Sequence, residues 1–261
     1  MNFARLILLY FLIVNVACVS IFFIPELKPL LSASYQNLDL ASIAKYYTSN
    51  FVHGNETHLL GNILGFNVVG ALLYAICWCC RKEKELFCSL ISMLILLPLI
   101  SNLILFLFLM RYFASTQSCG LSAFVSALVG LLLPASVVCL GPLNPNKRCW
   151  LWLSLYLLTA SLIAFQYADF HQNLSTYIPL AMFIVATVIL GLVAKDGFSE
   201  TREEKLRVVF LALTMLVYFG FVYFLFPSNF VVGSILVNIL AHAIGLLFGM
   251  FIGSYTFKVW R

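Results

Sequence analysis

Residues 86–110 read LFCSLISMLILLPLISNLILFLFLM, an apolar run without a charged side chain. A helix needs about 20 such residues to cross the hydrocarbon of a bilayer, so this run reads as a membrane span. Working outward, seven more segments approach the same standard: Phe3–Ile24, His58–Cys80, Leu121–Leu140, Trp150–Gln166, Tyr177–Ala194, Val208–Phe226 and Val232–Phe257. The whole chain agrees with them. Of its 261 residues 63% are hydrophobic and only 10% charged, and mean hydropathy is +1.03. A soluble domain carries about 25% charged residues to wet its surface. Soluble enzymes, disordered and collagenous chains and nucleic-acid binders are thereby excluded. The expected fold is an all-α integral membrane protein, a polytopic bundle of eight spans forming one domain over 1–261.

Orientation follows from Lys and Arg, which concentrate on the cytoplasmic side. With the N-terminus inside, the outer segments hold only Lys28, Lys45 and Arg111, and the other twelve of the 15 basic residues face inward. Dropping one of the later spans would scatter the charges downstream of it. Both termini are therefore expected in the cytoplasm of a multi-pass protein, with the cell membrane as its site. Arg5 ahead of an apolar run resembles a signal peptide, but the run is too long, and it reads as a retained span. Pro25–Thr57 is the longest outer connection, and 38–47 within it has the spacing of a short amphipathic helix lying in the interface. Asn55-Glu56-Thr57 and Asn173-Leu174-Ser175 are sequons on the outer side. The eight cysteines read mainly as small apolar filler. Cys77, Cys79 and Cys80 stand beside Arg81 and Lys82 at a membrane edge, a setting in which S-acylation also occurs.

Polar side chains inside spans are costly unless they face protein or a water-filled cavity. Of four histidines, His171 falls in an outer loop and needs no explanation. His53 and His58 belong to the stretch FVHGNETHLLGN over 51–62, where His58 and Asn62 share a helical face at the outer start of the second span. That pair alone suits helix capping and interhelical packing. Ser122 follows Gly120 at the outer start of the fourth span, and Ser122, Ser126 and Gly130 form a small-residue stripe. Without a base nearby, Ser122 would be a packing serine. His242 stands in ILAHAIGLLFG over 239–249, followed on its face by Gly245, Gly249 and Gly253. A span from Val232 would bury it about 15 Å along the helix, where an imidazole must have a partner.

The second, fourth and eighth spans run in the same direction, so His58, Asn62, Ser122 and His242 share the outer half of the membrane. Ser122 then has a general base in His242. His58, Asn62 and the Ser122 backbone N–H can stabilise an oxyanion. With no Asp or Glu in the last spans, the arrangement is a Ser–His dyad.

These residues resemble the rhomboid family of intramembrane serine proteases. The matching elements are His53-x4-His58-x3-Asn62, Gly120-Leu121-Ser122-Ala123 and Ala241-His242-x2-Gly245-x3-Gly249. The resemblance covers 41–140 and 232–257. It implies catalytic helices at about 58–80, 121–140 and 232–257, with the outer loop at 25–57. Ser122 would be the nucleophile, His242 its base, and His58 and Asn62 the oxyanion-hole donors. His53, Gly120, Gly245 and Gly249 would support them. It implies hydrolysis of transmembrane protein substrates, with membrane lipids as surroundings and no metal, cofactor or nucleic acid. This chain departs from the family pattern in four ways. An extra helix pair is required within 150–226, Ala123 replaces the usual glycine, and the first outer loop lacks a Trp-Arg pair. The helix that would act as lateral gate is unassigned. Two other classes fit parts of the pattern. A rhomboid-like binder or escort without activity would tolerate loss of Ser122 or His242, and both are present. A transporter calls for charges or broken helices near the midplane, whereas the acidic residues lie outside the spans.

Overall fold

The computed structural model describes the chain except for residues 1, 35–39, 113–116, 119, 141–143, 168–176, 198–201, 227–230, 233–234, 237–238 and 260–261. His171 and Cys119 lie outside the described residues. The described chain is helical: α1 (Phe3–Phe22), α2 (Leu27–Leu31), α3 (Leu40–Thr48), α4 (Glu56–Cys79), α5 (Glu83–Tyr112), α6 (Ser122–Leu140), α7 (Pro145–Gln166), α8 (Tyr177–Gly197), α9 (Arg202–Leu225) and α10 (Ile239–Thr256). A 3-10 turn, Ser49–Phe51, follows α3. Extended pairing is confined to two-residue antiparallel contacts, Ala33–Ser34 with Gln117–Ser118 and Val231–Val232 with Ile235–Leu236.

Seven of these helices are long and apolar enough to cross a membrane, so the protein is a polytopic helical membrane protein. The sequence pointed to eight. The helix left over is α8, whose described apolar part, Tyr177–Val193, is shorter than the rest. The last span is a correction: its helix starts at Ile239 instead of Val232. The β-branched Val231, Val232 and Ile235 favour extended backbone, and they pair across 231–236 ahead of the helix. His242 is thus in the first turn of α10, well short of the expected depth. Other boundaries move outward for local reasons. Asn144 caps α7, with Pro145 at its first position, so that helix starts before Trp150. The interfacial stretch read at 38–47 is helical from Leu40 to Thr48.

The chain forms two compact units, 1–130 with 240–252, and 131–239 with 253–261. In the first, α1 and α4 run antiparallel. Asn15 Nδ2 donates to Asn67 Oδ1 at 2.9 Å, and Asn67 Nδ2 donates back to Asn15 Oδ1 at 3.1 Å. Such reciprocal amide pairs satisfy polar groups that lipid cannot. Helix α5 contains Pro98, which has no N–H for the Leu94 carbonyl one turn earlier. The Tyr47 hydroxyl of α3 donates to Leu94 O at 2.7 Å and supplies the missing bond. In the second unit, Thr159 and Tyr218 hydroxyls meet at 2.9 Å, and Gln166 Nε2 donates to Tyr223 O at 3.0 Å. Both partners advance together, so α7 and α9 are parallel. Ser161 near the end of α7 donates to Pro179 O near the start of α8, so that pair is antiparallel.

Candidate active site

Ser122 is the first residue of α6 and is half-buried. Helix α6 is the most enclosed of the seven candidate spans: 89% of its apolar stretch is buried, against 22–44% for the others. The loop leading to Ser122 turns at Gly120, whose φ of +115° lies in the region that side chains disfavour. Space imposes the same choice. A Cβ on Gly120 would stand 2.6 Å from His58 Cε1 and 2.7 Å from its Nε2, with Asn62 Nδ2 at 3.4 Å. The Gly120 backbone therefore rests directly on the His58 and Asn62 side chains.

Those two side chains are presented by the first turns of α4. Asn55 caps this helix, accepting from the His58 backbone N–H at 2.8 Å. Asn62 follows His58 by four positions, which puts both on the face towards Gly120. Asn62 is 8% exposed, and its Nδ2 is buried without a hydrogen-bond partner. A buried amide donor left unsatisfied is costly, and natural structures keep few of them. This one stands beside the loop that delivers Ser122.

His53 holds the same loop from the other side. Its Nδ1 lies 3.3 Å from Phe51 O, and its Nε2 accepts the Leu121 backbone N–H at 3.4 Å. A carbonyl at one nitrogen and an N–H at the other assign the neutral tautomer protonated on Nδ1. Burial, the neighbouring His58 ring and Lys28 lower the His53 pKa to about 4, partly offset by the bond to Phe51 O. The His53 and His58 rings meet edge to face at 5.2 Å. The Gly120 N–H is fixed as well, donating to Ser49 O at 3.1 Å.

His242 is 9% exposed, and its helix α10 packs against α6. A Cβ on Gly245 would collide with the Ala123 carbonyl and stand 3.0 Å from Ser126 Cβ. Further along, a Cβ on Gly130 would collide with the Leu246 carbonyl, and one on Gly253 would lie 2.5 Å from Pro134 Cγ. The contacts advance together on both helices, so α6 and α10 are parallel and their backbones nearly touch. In that register Ser122 and His242 stand at the same level. Gly249 is buried in the same helix.

The structure thus gathers His53, His58, Asn62 and Gly120 by direct contact, and sets Ser122 level with His242 by helix register. Sequence reasoning passed over Ser49, Asn50 and Asn102, a buried polar group behind the loop. Asn102 follows Pro98 by one helical turn, and a polar residue so placed inside a span was the available signal. Set against models of known protein families, curated proteins and solved structures, the chain matches none.

Proposed function

We propose that the protein is an intramembrane serine endopeptidase of rhomboid type, cutting transmembrane protein substrates through a Ser122–His242 dyad. The observation that carries this reading is the unpartnered, buried Asn62 amide beside the serine loop. A donor kept waiting at that place suits an oxygen that becomes negative only during reaction. In the proposed chemistry, Ser122 Oγ attacks the scissile carbonyl carbon while His242 takes the hydroxyl proton. The tetrahedral oxyanion is met by Asn62 Nδ2, the His58 ring and the N–H groups at the start of α6, where the helix dipole also favours negative charge. The proton on His242 passes to the leaving amine, and water, deprotonated by the same imidazole, then releases the acyl group.

Helix direction supports an eighth crossing. Parallel neighbours α6 and α10 require an odd number of crossings between them, and α7 and α9 contribute two. The parallel run of α7 and α9, with α8 antiparallel to α7, supports α8 as the third. The distribution of basic residues then supports cytoplasmic termini and a dyad towards the outer face.

A fluorophosphonate probe tests the reading on detergent-purified protein. Labelling of the wild type that is lost in both Ser122→Ala and His242→Ala is the expected result. A folded wild type that takes no label overturns the dyad and turns attention to a non-catalytic role in binding membrane proteins.

A further inference from the structure

Asn102 is 2% exposed on α5, outside the set of groups that the proposed reaction uses. Its Nδ2 donates to two carbonyls: Pro98 O of its own helix at 2.9 Å, and Tyr46 O of α3 at 2.7 Å. Tyr46 O also receives Asn50 Nδ2 at 3.0 Å and Ser49 Oγ at 3.4 Å. The segment held in this way, 46–53, in turn grips two successive peptide groups of the serine loop. Ser49 O takes the Gly120 N–H, and His53 Nε2 takes the Leu121 N–H. Ser49, Asn50 and His53 are each 5% exposed or less.

We propose that Asn102 is a positioning residue for Ser122, acting through the hydrogen-bonded segment 46–53 that clamps the Gly120 and Leu121 amides. Each link has a backbone carbonyl or a backbone N–H on at least one side, so the chain of bonds fixes peptide orientation as well as spacing. Leu121 is the residue whose carbonyl opens α6, accepting from Val125 N–H at 3.1 Å. Its orientation therefore sets the Ser122 N–H and side chain that follow. In a low-dielectric interior such a network is rigid when fully satisfied. Reaction geometry is sensitive to displacements of about 1 Å, which cost on the order of a hundredfold in rate. The rate effect rests on the hydrolase reading above; the clamp itself does not.

The test compares wild type with Asn102→Ser and Asn102→Gln in detergent. Serine can still bond the Pro98 carbonyl one turn back but cannot reach Tyr46 O, so it severs the link while sparing the helix. Amide hydrogen exchange at Gly120 and Leu121 is expected to rise about tenfold in Asn102→Ser. The maximal rate of fluorophosphonate labelling should fall about tenfold or more at an unchanged half-saturating probe concentration. Asn102→Gln, which keeps the amide, should recover a large part of both. Unchanged exchange in Asn102→Ser overturns the clamp. Raised exchange with unchanged labelling overturns the positioning role. Raised exchange in a protein whose wild type takes no label supports the clamp and overturns the hydrolase reading.

Discussion

Asn62 and His53 make opposite predictions about stability. The Asn62 amide nitrogen has no bond to lose in the resting molecule, so Asn62→Leu should leave the thermal midpoint unchanged or raised. Under the proposed chemistry, the same variant should lower the rate of peptide hydrolysis by about 10²–10³-fold, the usual effect of removing one oxyanion donor. A variant that loses both fold and activity would show a structural amide instead. His53 is neutral and buried, with its pKa held at about 4 against 6.5 for an ordinary histidine. Below pH 6.5 the unfolded chain takes up the proton first, so His53 contributes stability that is present above pH 6.5 and lost as pH falls towards 4. The full loss is roughly 3 kcal/mol. Thermal unfolding between pH 7 and 4 should show this slope in wild type and a shallower one in His53→Gln. The spacing of His58 and Asn62 was legible because the α-helical period puts residues four apart on one face. The idle Asn62 amide was not, because it depends on where Gly120 comes to rest.

At the level of elements, the stretch 86–110 illustrates what hydropathy leaves out. Its average identifies a span correctly and hides a turn in which the backbone needs outside help. Pro98 removes the donor from Leu94 O, and Tyr47, from the short helix α3, replaces it. Tyr47→Phe keeps the ring and deletes that bond. It should destabilise the protein by about 1 kcal/mol, the usual worth of a hydrogen bond to a part-buried carbonyl. Equilibrium unfolding in detergent checks this, and a neutral result would mean that water reaches Leu94 O. The start of α10 was misread for a related reason. Val231, Val232 and Ile235 are as apolar as helix residues, and only their β-branching hinted at the extended pairing that precedes Ile239. The α6–α10 contact, by contrast, was signalled by Gly130, Gly245 and Gly253, whose missing side chains let two backbones meet.

For the whole molecule, the proposed eighth crossing rests on helix direction, where length alone leaves seven. Length and hydropathy pick out seven spans, and the parallel registers of α6 with α10 and α7 with α9 argue for an eighth in α8. Under that proposal, single-cysteine accessibility mapping on a cysteine-free background should place residues 141–144 and 198–201 on the cytoplasmic side, and 168–176 outside. Finding 168–176 inside would remove α8 as a crossing. It would also leave α6 and α10 unable to run parallel.

The register between α6 and α10 also has a consequence in time. A ribosome making this chain releases Ser122 into the membrane long before His242, with α7, α8 and α9 still to come. Throughout that interval the proposed nucleophile has no base, whatever neighbouring helices drift past the insertion site. In the proposed chemistry only the arrival of α10, whose Gly245 and Gly253 let it close on α6, arms the serine. Under the proposed chemistry, the late birth of one helix protects unfinished membrane proteins nearby.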